Sequence, residues 1–145
     1  MKLSGIKVPH KKHTADSVPT RIPLPEMVVI PMSMHIGKNA IPVVKITDKV
    51  KVGQLIGKAD GFISSPVYSS VSGTVKKVDE IVMSNGNKVP AVVIEPDGLQ
   101  EKHEDIAPPV VNDFDSFVEA VKQSGVVGLG GAGFPTFVKL GVKDL

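Results

Sequence analysis

Two stretches of this chain, Asp48–Ile56 (DKVKVGQLI) and Ser69–Val75 (SSVSGTV), carry most of the information about its fold. Each contains a glycine, Gly53 or Gly73, directly before residues that favour extended structure. Glycine is common in turns, whereas β-branched and aliphatic residues are typical of strands. The two stretches therefore predict short strands that follow tight turns.

The same pattern of short strand-forming runs and turns extends over residues 27–98. Short runs rich in Val and Ile, separated by turn-forming residues, occur at Met27–Pro31, Ile41–Ile46, Gln54–Gly57, Gly73–Val78 and Val89–Ile94. The Asn85-Gly86 pair favours a hairpin turn with two positive φ angles. Because no helical period of useful length interrupts these runs, residues 27–98 are expected to form a compact all-β barrel or sandwich.

Composition limits the possible classes of protein. With 145 residues, of which 41% are hydrophobic and 4% aromatic, the chain can form one domain with an aliphatic core plus an appendage. It has no cysteine, which excludes disulfides and iron–sulfur ligation within these residues. It has neither an apolar run of membrane-spanning length nor an apolar signal core at Met1–Ser4, so we expect a soluble chain without direct membrane insertion.

Residues 1–26 predict an extended basic arm, because they are polar and contain four prolines. The arm lacks interleaved aromatic residues, so it does not indicate a nucleic-acid partner. His10 and His13 lack a carboxylate or thiol at ligand spacing, and no metal site is predicted.

Residues 99–112, which are charged and contain Pro108-Pro109, are interpreted as a linker. A helix is predicted to follow, with one apolar face formed by Phe114, Phe117, Val118 and Val121. Ser116 and Glu119 also fit a capping box, although a start there would leave Phe114 outside the helix. Gly125 is the expected C-terminal stop.

The run Gly125–Leu140 (GVVGLGGAGFPTFVKL) predicts a loop that holds a phosphate-bearing cofactor. Glycines allow backbone N–H groups to turn toward one anion, and Pro135 fits the first turn of a following helix, whose N-terminus attracts negative charge. Gly128, Gly130 and Gly133 also have the spacing of a dinucleotide fingerprint, but that motif requires a preceding strand, and a helix is predicted there instead.

The stretches Asp48–Ile56 and Ser69–Val75 resemble the turns that flank the modified lysine in biotinyl and lipoyl carrier domains, which have the barrel-sandwich hybrid fold. Counting from either stretch places the hairpin tip at Phe62 or Ile63, and Lys58 lies several residues too early. The resemblance thus implies the fold without the carrier function. An apolar tip is better suited to packing against another domain.

The segment Gly128–Thr136 (GLGGAGFPT), with Lys139 three residues later, resembles the glycine loop of the flavin-binding subunit of respiratory complex I and of the RnfC family. The upstream segments resemble the N-terminal domain of RnfC in the same order: Met34–Gly37, Pro42–Val44, Val52–Gly57, Ala59–Phe62 and Ser69–Val75. This implies a mainly β barrel-sandwich hybrid domain at 27–98, then one helix and the Gly-rich start of an α/β flavin-binding domain at 113–145.

The resemblance also implies a function. RnfC is the NADH-interacting peripheral subunit of a membrane-bound, ion-translocating ferredoxin:NAD+ oxidoreductase on the cytoplasmic face of the bacterial membrane, with the other Rnf subunits as partners. Gly128, Gly130 and Lys139 would face FMN. On the NAD(H) side, the resemblance places Gly131, Ala132 and Phe134.

No catalytic residue is expected within these 145 residues, and the family's 4Fe–4S clusters would lie beyond Leu145. The fragment alone is therefore not expected to be active. The alternative is a non-enzymatic carrier or subunit-docking module of biotinyl/lipoyl-like fold.

Overall fold

The computed structural model describes residues 9–142, in which seven strands are followed by two helices. The strands are β1 (Val28–Pro31), β2 (Ile41–Pro42), β3 (Lys49–Val50), β4 (Leu55–Lys58), β5 (Val67–Tyr68), β6 (Gly73–Val82) and β7 (Lys88–Pro96). The helices are α1 (Phe114–Gln123) and α2 (Thr136–Leu140). The described part of the arm, residues 9–26, forms no strand or helix and is exposed throughout.

The strands form two antiparallel sheets, one in the order β1-β7-β6-β3 and one in the order β2-β4-β5. The long β6–β7 hairpin forms the two central strands of the first sheet, and its residues pair from Gly73↔Pro96 to Val82↔Lys88. Its register shifts between Val75 and Lys77, the mark of a bulge that bends the strand. The mainly β architecture agrees with the barrel-sandwich hybrid fold that the sequence predicts.

The core is aliphatic, as the composition requires. Its fully buried side chains include Met32, Ile56, Val75, Val92 and Ile94. The elements approach closely at Gly57, where an added Cβ would lie 2.5 Å from the Met32 sulfur. This close approach explains the glycine at position 57 within β4.

The hairpin predicted at Asn85-Gly86 is confirmed, but the predicted turn type is wrong. Only Gly86 has a positive φ, at 82°. The Met83 carbonyl accepts from Gly86 N at 2.9 Å, and Met83 N donates to the Asn87 carbonyl at 2.8 Å, as in a turn closed by a left-handed glycine. The loop is longer than the two-residue loop that needs two positive φ angles.

One predicted strand is too long, and two short strands were not predicted. The strand predicted at Ile41–Ile46 is limited to β2, because only Ile41 and Pro42 pair with β4. The chain then turns at Thr47, whose φ is 77° and whose N–H donates to the Val75 carbonyl at 2.8 Å. The sequence also contains no sign of β3 and β5, since a strand of two residues is too short to show alternation.

The segment predicted as a linker is attached to the barrel over its first half. Val52 N donates to the Glu101 carbonyl at 2.8 Å, and the Lys51 ammonium lies 2.5 Å from Glu104. Ile106 covers Gly53, where an added Cβ would lie 2.5 Å from the Ile106 Cδ1. Residues 97–106 thus follow the barrel surface.

Candidate functional site

Helix α1 leads into the glycine loop, and a capping box fixes its first residue. The Asp113 carboxylate accepts from Ser116 N at 2.8 Å, and the Ser116 hydroxyl accepts from Asp113 N at 2.9 Å. Hydrogen bonds from the Ser116 hydroxyl and N–H lower the pKa of Asp113. The helix therefore begins at Phe114, and the alternative start at Ser116 is not used.

The end of α1 is seated on strand β5. Gly125 follows the helix with a φ of 70°, which confirms it as the stop residue. The Tyr68 hydroxyl donates to the Gln123 carbonyl, and burial raises the pKa of Tyr68. A Cβ added to Gly125 would lie 2.8 Å from the Pro66 carbonyl oxygen, so this contact requires glycine.

The glycine loop is closed at its base by backbone hydrogen bonds. Gly128 N donates to the Phe134 carbonyl at 3.0 Å, and Thr136 N donates to the Val126 carbonyl at 3.0 Å. Pro135 is buried and forms an antiparallel bridge with Val127. Pro135 therefore caps the five-residue helix α2 instead of lying in its first turn as predicted.

The far end of the loop rests on the barrel. Ile36 N donates to the Gly133 carbonyl at 3.3 Å. Gly133 has a φ of 66°, and an added Cβ would lie 2.9 Å from the Met34 carbonyl oxygen. The fold itself thus demands glycine at position 133.

Gly130 and Gly131 are different. Neither has a positive φ, and a Cβ added to either would meet no atom within 4 Å. Within the described residues, the N–H groups of positions 129–132 donate to no other backbone group. The loop therefore has unpaired backbone N–H donors, and open space lies beside Gly130 and Gly131 because glycine has no side chain. An anion can bind to such an arrangement.

A cleft of about 600 Å³ separates the loop from the barrel. Among its lining residues, the loop contributes Gly128, Gly131 and Ala132, while the barrel contributes Met34, His35, Met83 and Asn85. Three of the six predicted site residues thus share one cleft. Gly130 is exposed and does not line it.

The other two predicted site residues form a pair of their own. The Lys139 ammonium lies 5.6 Å from the centroid of the Phe134 ring, within the range of a cation–π contact. No carboxylate of residues 9–142 lies within 4 Å of it. Lys122 has a similar position, 5.7 Å from the Phe137 centroid, but it also pairs with Glu119 at 3.3 Å.

Comparison with known proteins decides the family. Residues 3–99 match the RnfC barrel sandwich hybrid domain. The chain belongs to the RnfC family. This confirms the family that the upstream segments and the glycine loop predict.

The relatives of this RnfC chain are longer proteins. The C-subunit of the Na(+)-translocating ferredoxin:NAD(+) oxidoreductase complex of Acetobacterium woodii is 45% identical over an alignment of 142 positions, and the match covers 95% of this chain and 32% of that protein. The C-subunit of the proton-translocating ferredoxin:NAD(+) oxidoreductase complex of Clostridium ljungdahlii is 40% identical, covering 90% of this chain and 29% of that protein. The C-subunit of an ion-translocating oxidoreductase complex of Rhodobacter capsulatus is 35% identical, covering 92% and 27%. The chain spans less than a third of the length of each.

Residues 9–142 of this RnfC chain contain neither a membrane-spanning helix nor a cluster of metal ligands. Neither helix is long or apolar enough to cross a membrane. His, Asp and Glu residues form no cluster of three or more that could hold a metal ion, and His10 and His13 are both exposed.

Sequence reasoning missed two barrel residues that lie beside the ends of the glycine loop, His35 and Tyr68. Both are far from the loop in sequence, and the side chains of both hydrogen-bond to backbone groups. The only signal was the position of His35 within Met34–Gly37, one of the segments that resemble RnfC.

Proposed function

We propose that this chain is the N-terminal part of a peripheral subunit of a membrane-bound, ion-translocating ferredoxin:NAD+ oxidoreductase. The names of the Acetobacterium woodii and Clostridium ljungdahlii relatives support the reaction class. In this proposal the subunit lies on the cytoplasmic face of the bacterial membrane and assembles with the other Rnf subunits. It transfers electrons between NADH and iron–sulfur carriers through FMN.

One observation carries the assignment of the loop to nucleotide binding: the fold does not require glycine at Gly130 or Gly131, whereas it does at Gly133. A side chain at the first two positions would obstruct only a molecule that approaches the loop from outside. The unpaired N–H groups of residues 129–132 suit the phosphate of FMN or of a nicotinamide nucleotide.

The chain's own residues then bind and orient the cofactors. Gly128, Gly130 and Lys139 face FMN, and Gly131, Ala132 and Phe134 line the side of NAD(H). Lys139 supplies a positive charge, which the neighbouring Phe134 ring helps to hold in place. When bound, FMN would accept a hydride and release electrons singly. Because these 145 residues contain no cysteine, the 4Fe–4S clusters must be held by cysteines outside them.

The loop assignment can be tested by measuring FMN and NADH binding to the whole protein. Gly131→Val is expected to weaken binding at least tenfold while leaving the thermal midpoint unchanged, because the added side chain enters open space. Lys139→Ala is expected to weaken binding about tenfold, the loss typical of one hydrogen bond to a charged group.

Lys122→Ala is the matched control, since Lys122 also lies beside a phenylalanine ring but has a carboxylate partner. It should leave binding unchanged. Equal affinities in wild type, Gly131→Val and Lys139→Ala would remove the proposed role of the loop.

The alternative carrier function would require a lysine at the hairpin tip. Lys58 is the last residue of β4, and the connection to β5 presents Phe62, which is 78% exposed, and Ile63. Mass spectrometry of the native protein discriminates: a lipoyl or biotinyl adduct on any lysine would favour the carrier. A docking role for Phe62 would be supported if Phe62→Asp prevented complex assembly without unfolding the barrel.

A further inference from the structure

The imidazole of His35 is buried and hydrogen-bonded on both ring nitrogens. It is 7% exposed, its Nε2 lies 3.1 Å from the backbone N of Ser65, and its Nδ1 lies 3.1 Å from the Ile36 carbonyl oxygen. A backbone N–H can only donate, so Nε2 must accept and carry no proton. The ring is therefore neutral, and its Nδ1–H donates to the Ile36 carbonyl.

The two segments that His35 joins are those on which the glycine loop rests. Met34–Ile36 holds the end of the loop, through the hydrogen bond from Ile36 N to the Gly133 carbonyl. The segment after Ser65 holds its beginning, because the Pro66 carbonyl and the Tyr68 ring lie against Gly125. A small cavity of about 160 Å³ is lined by both segments and by Gly125 and Val127.

We propose that His35 is a positioning residue for the glycine loop: by accepting the Ser65 N–H it fixes the spacing between the barrel segments that seat Gly125 and Gly133. The loop's ends are thereby held at a set distance, and its unpaired N–H groups are presented in one arrangement. The consequence for nucleotide affinity rests on the proposed function. The effect of His35 on the two barrel segments that contact the loop is independent of that function.

A matched pair of amide variants tests the acceptor role. The oxygen of His35→Gln can reach the position of Nε2, whereas the shorter side chain of His35→Asn reaches only that of Nδ1. Losing the acceptor leaves the Ser65 N–H buried and unpaired, since Ser65 is 2% exposed.

The readouts are amide hydrogen exchange and nucleotide affinity in the whole protein. In His35→Asn, exchange at Ser65 and Ile36 should accelerate about tenfold and FMN affinity should fall about tenfold, while exchange along β6 and β7 stays unchanged. In His35→Gln, the exchange rates of these two amides and the FMN affinity should be close to those of the wild type. Equal behaviour of the two variants, or unchanged exchange at both amides in His35→Asn, would overturn the proposal.

Two further measurements keep the outcomes distinct. Imidazole nitrogen NMR of the wild type should show the Nδ1–H tautomer, and the Nε2–H tautomer would contradict the assignment. If the wild-type protein binds neither FMN nor NADH, the proposed function fails, and the exchange comparison alone still decides whether His35 positions the loop.

Discussion

The barrel and the C-terminal segment of this chain are held together by different forces. All buried hydrophobic residues of the described core lie between Ile30 and Ile94, whereas α1 and α2 bury no residue. On α1, Phe114 and Phe117 remain 56% and 40% exposed. The barrel is thus stabilised mainly by buried apolar surface. The helices and the glycine loop are held by the buried Pro135, a few polar contacts and glycine-dependent close approaches.

This difference implies that backbone amides exchange with solvent through two kinds of motion, global unfolding of the barrel and local detachment of α1 and the loop. Amides at the core end of the β6–β7 hairpin, such as those of Val75, Val92 and Ile94, should exchange only when the whole barrel unfolds, since these residues are fully buried in the core. Amides in α1 and the loop should exchange through local opening, because little apolar surface is lost when they detach. The following predictions test this division, from the largest expected effect to the smallest.

Ile94→Ala should destabilise the barrel strongly. Ile94 is fully buried, and truncating such a residue costs about 2–5 kcal/mol of unfolding free energy. Leu129→Ala is the counterpart in the loop, where the side chain is 101% exposed, and it should change that free energy by less than about 0.5 kcal/mol. Urea denaturation measures both. Similar losses in the two variants would contradict the division.

Gly133→Ala should detach the loop without unfolding the barrel. An alanine at position 133 would be strained by the positive φ and by contact with the Met34 carbonyl, at a cost of about 1–3 kcal/mol. This cost lowers the stability of the loop and not that of the barrel. Hydrogen exchange at Ile36 should accelerate, while β6 and β7 keep their protection. Gly130→Ala is the control, because its Cβ meets no atom within 4 Å, and it should leave exchange at Ile36 unchanged.

Tyr68→Phe should loosen the end of α1. It removes the hydrogen bond to the Gln123 carbonyl, which is typically worth about 1 kcal/mol, or about fivefold in a local opening equilibrium. The amides near the end of α1 should exchange faster by about that factor. If the amides of β7 accelerated equally, α1 and the barrel would form one cooperative unit.

Acidification should weaken the start of α1. Hydrogen bonds from Ser116 lower the pKa of Asp113 in the folded chain. Its capping contribution is therefore complete above the unfolded value of about 3.9 and is lost as the pH falls through the lower folded pKa. NMR of the Ser116 N–H across this range measures the loss. Asp113→Asn, a neutral residue that also caps well, should remove the pH dependence at that amide.

Local sequence signals were sufficient for most of the fold. The Val- and Ile-rich runs predicted β1, β4, β6 and β7, and the apolar face with its glycine stop predicted α1. They failed where long-range pairing decides the structure: β3 and β5 exist only through partners elsewhere in the sheets, and Pro135 is drawn out of α2 by its bridge to Val127.

The candidate site was predictable in composition but not in arrangement. The sequence presents its glycines as equivalent, whereas Gly133 is required by contact with the barrel and Gly131 is not required by any protein atom. Nothing near His35 in sequence indicates its hydrogen bond to Ser65, because the two residues are 30 positions apart and meet only in the folded barrel. The boundaries of the predicted domains and the six site residues remain predictions.

The anchoring of Ile106 over Gly53 sets how far the C-terminal segment can travel. Only residues 107–112 separate this anchor from the cap of α1, and six extended residues reach about 20 Å. Pro108 and Pro109 stiffen part of that tether. A detached α1 would stay near the barrel at an effective concentration of about millimolar, so even one weak contact at Tyr68 can return it to its seat.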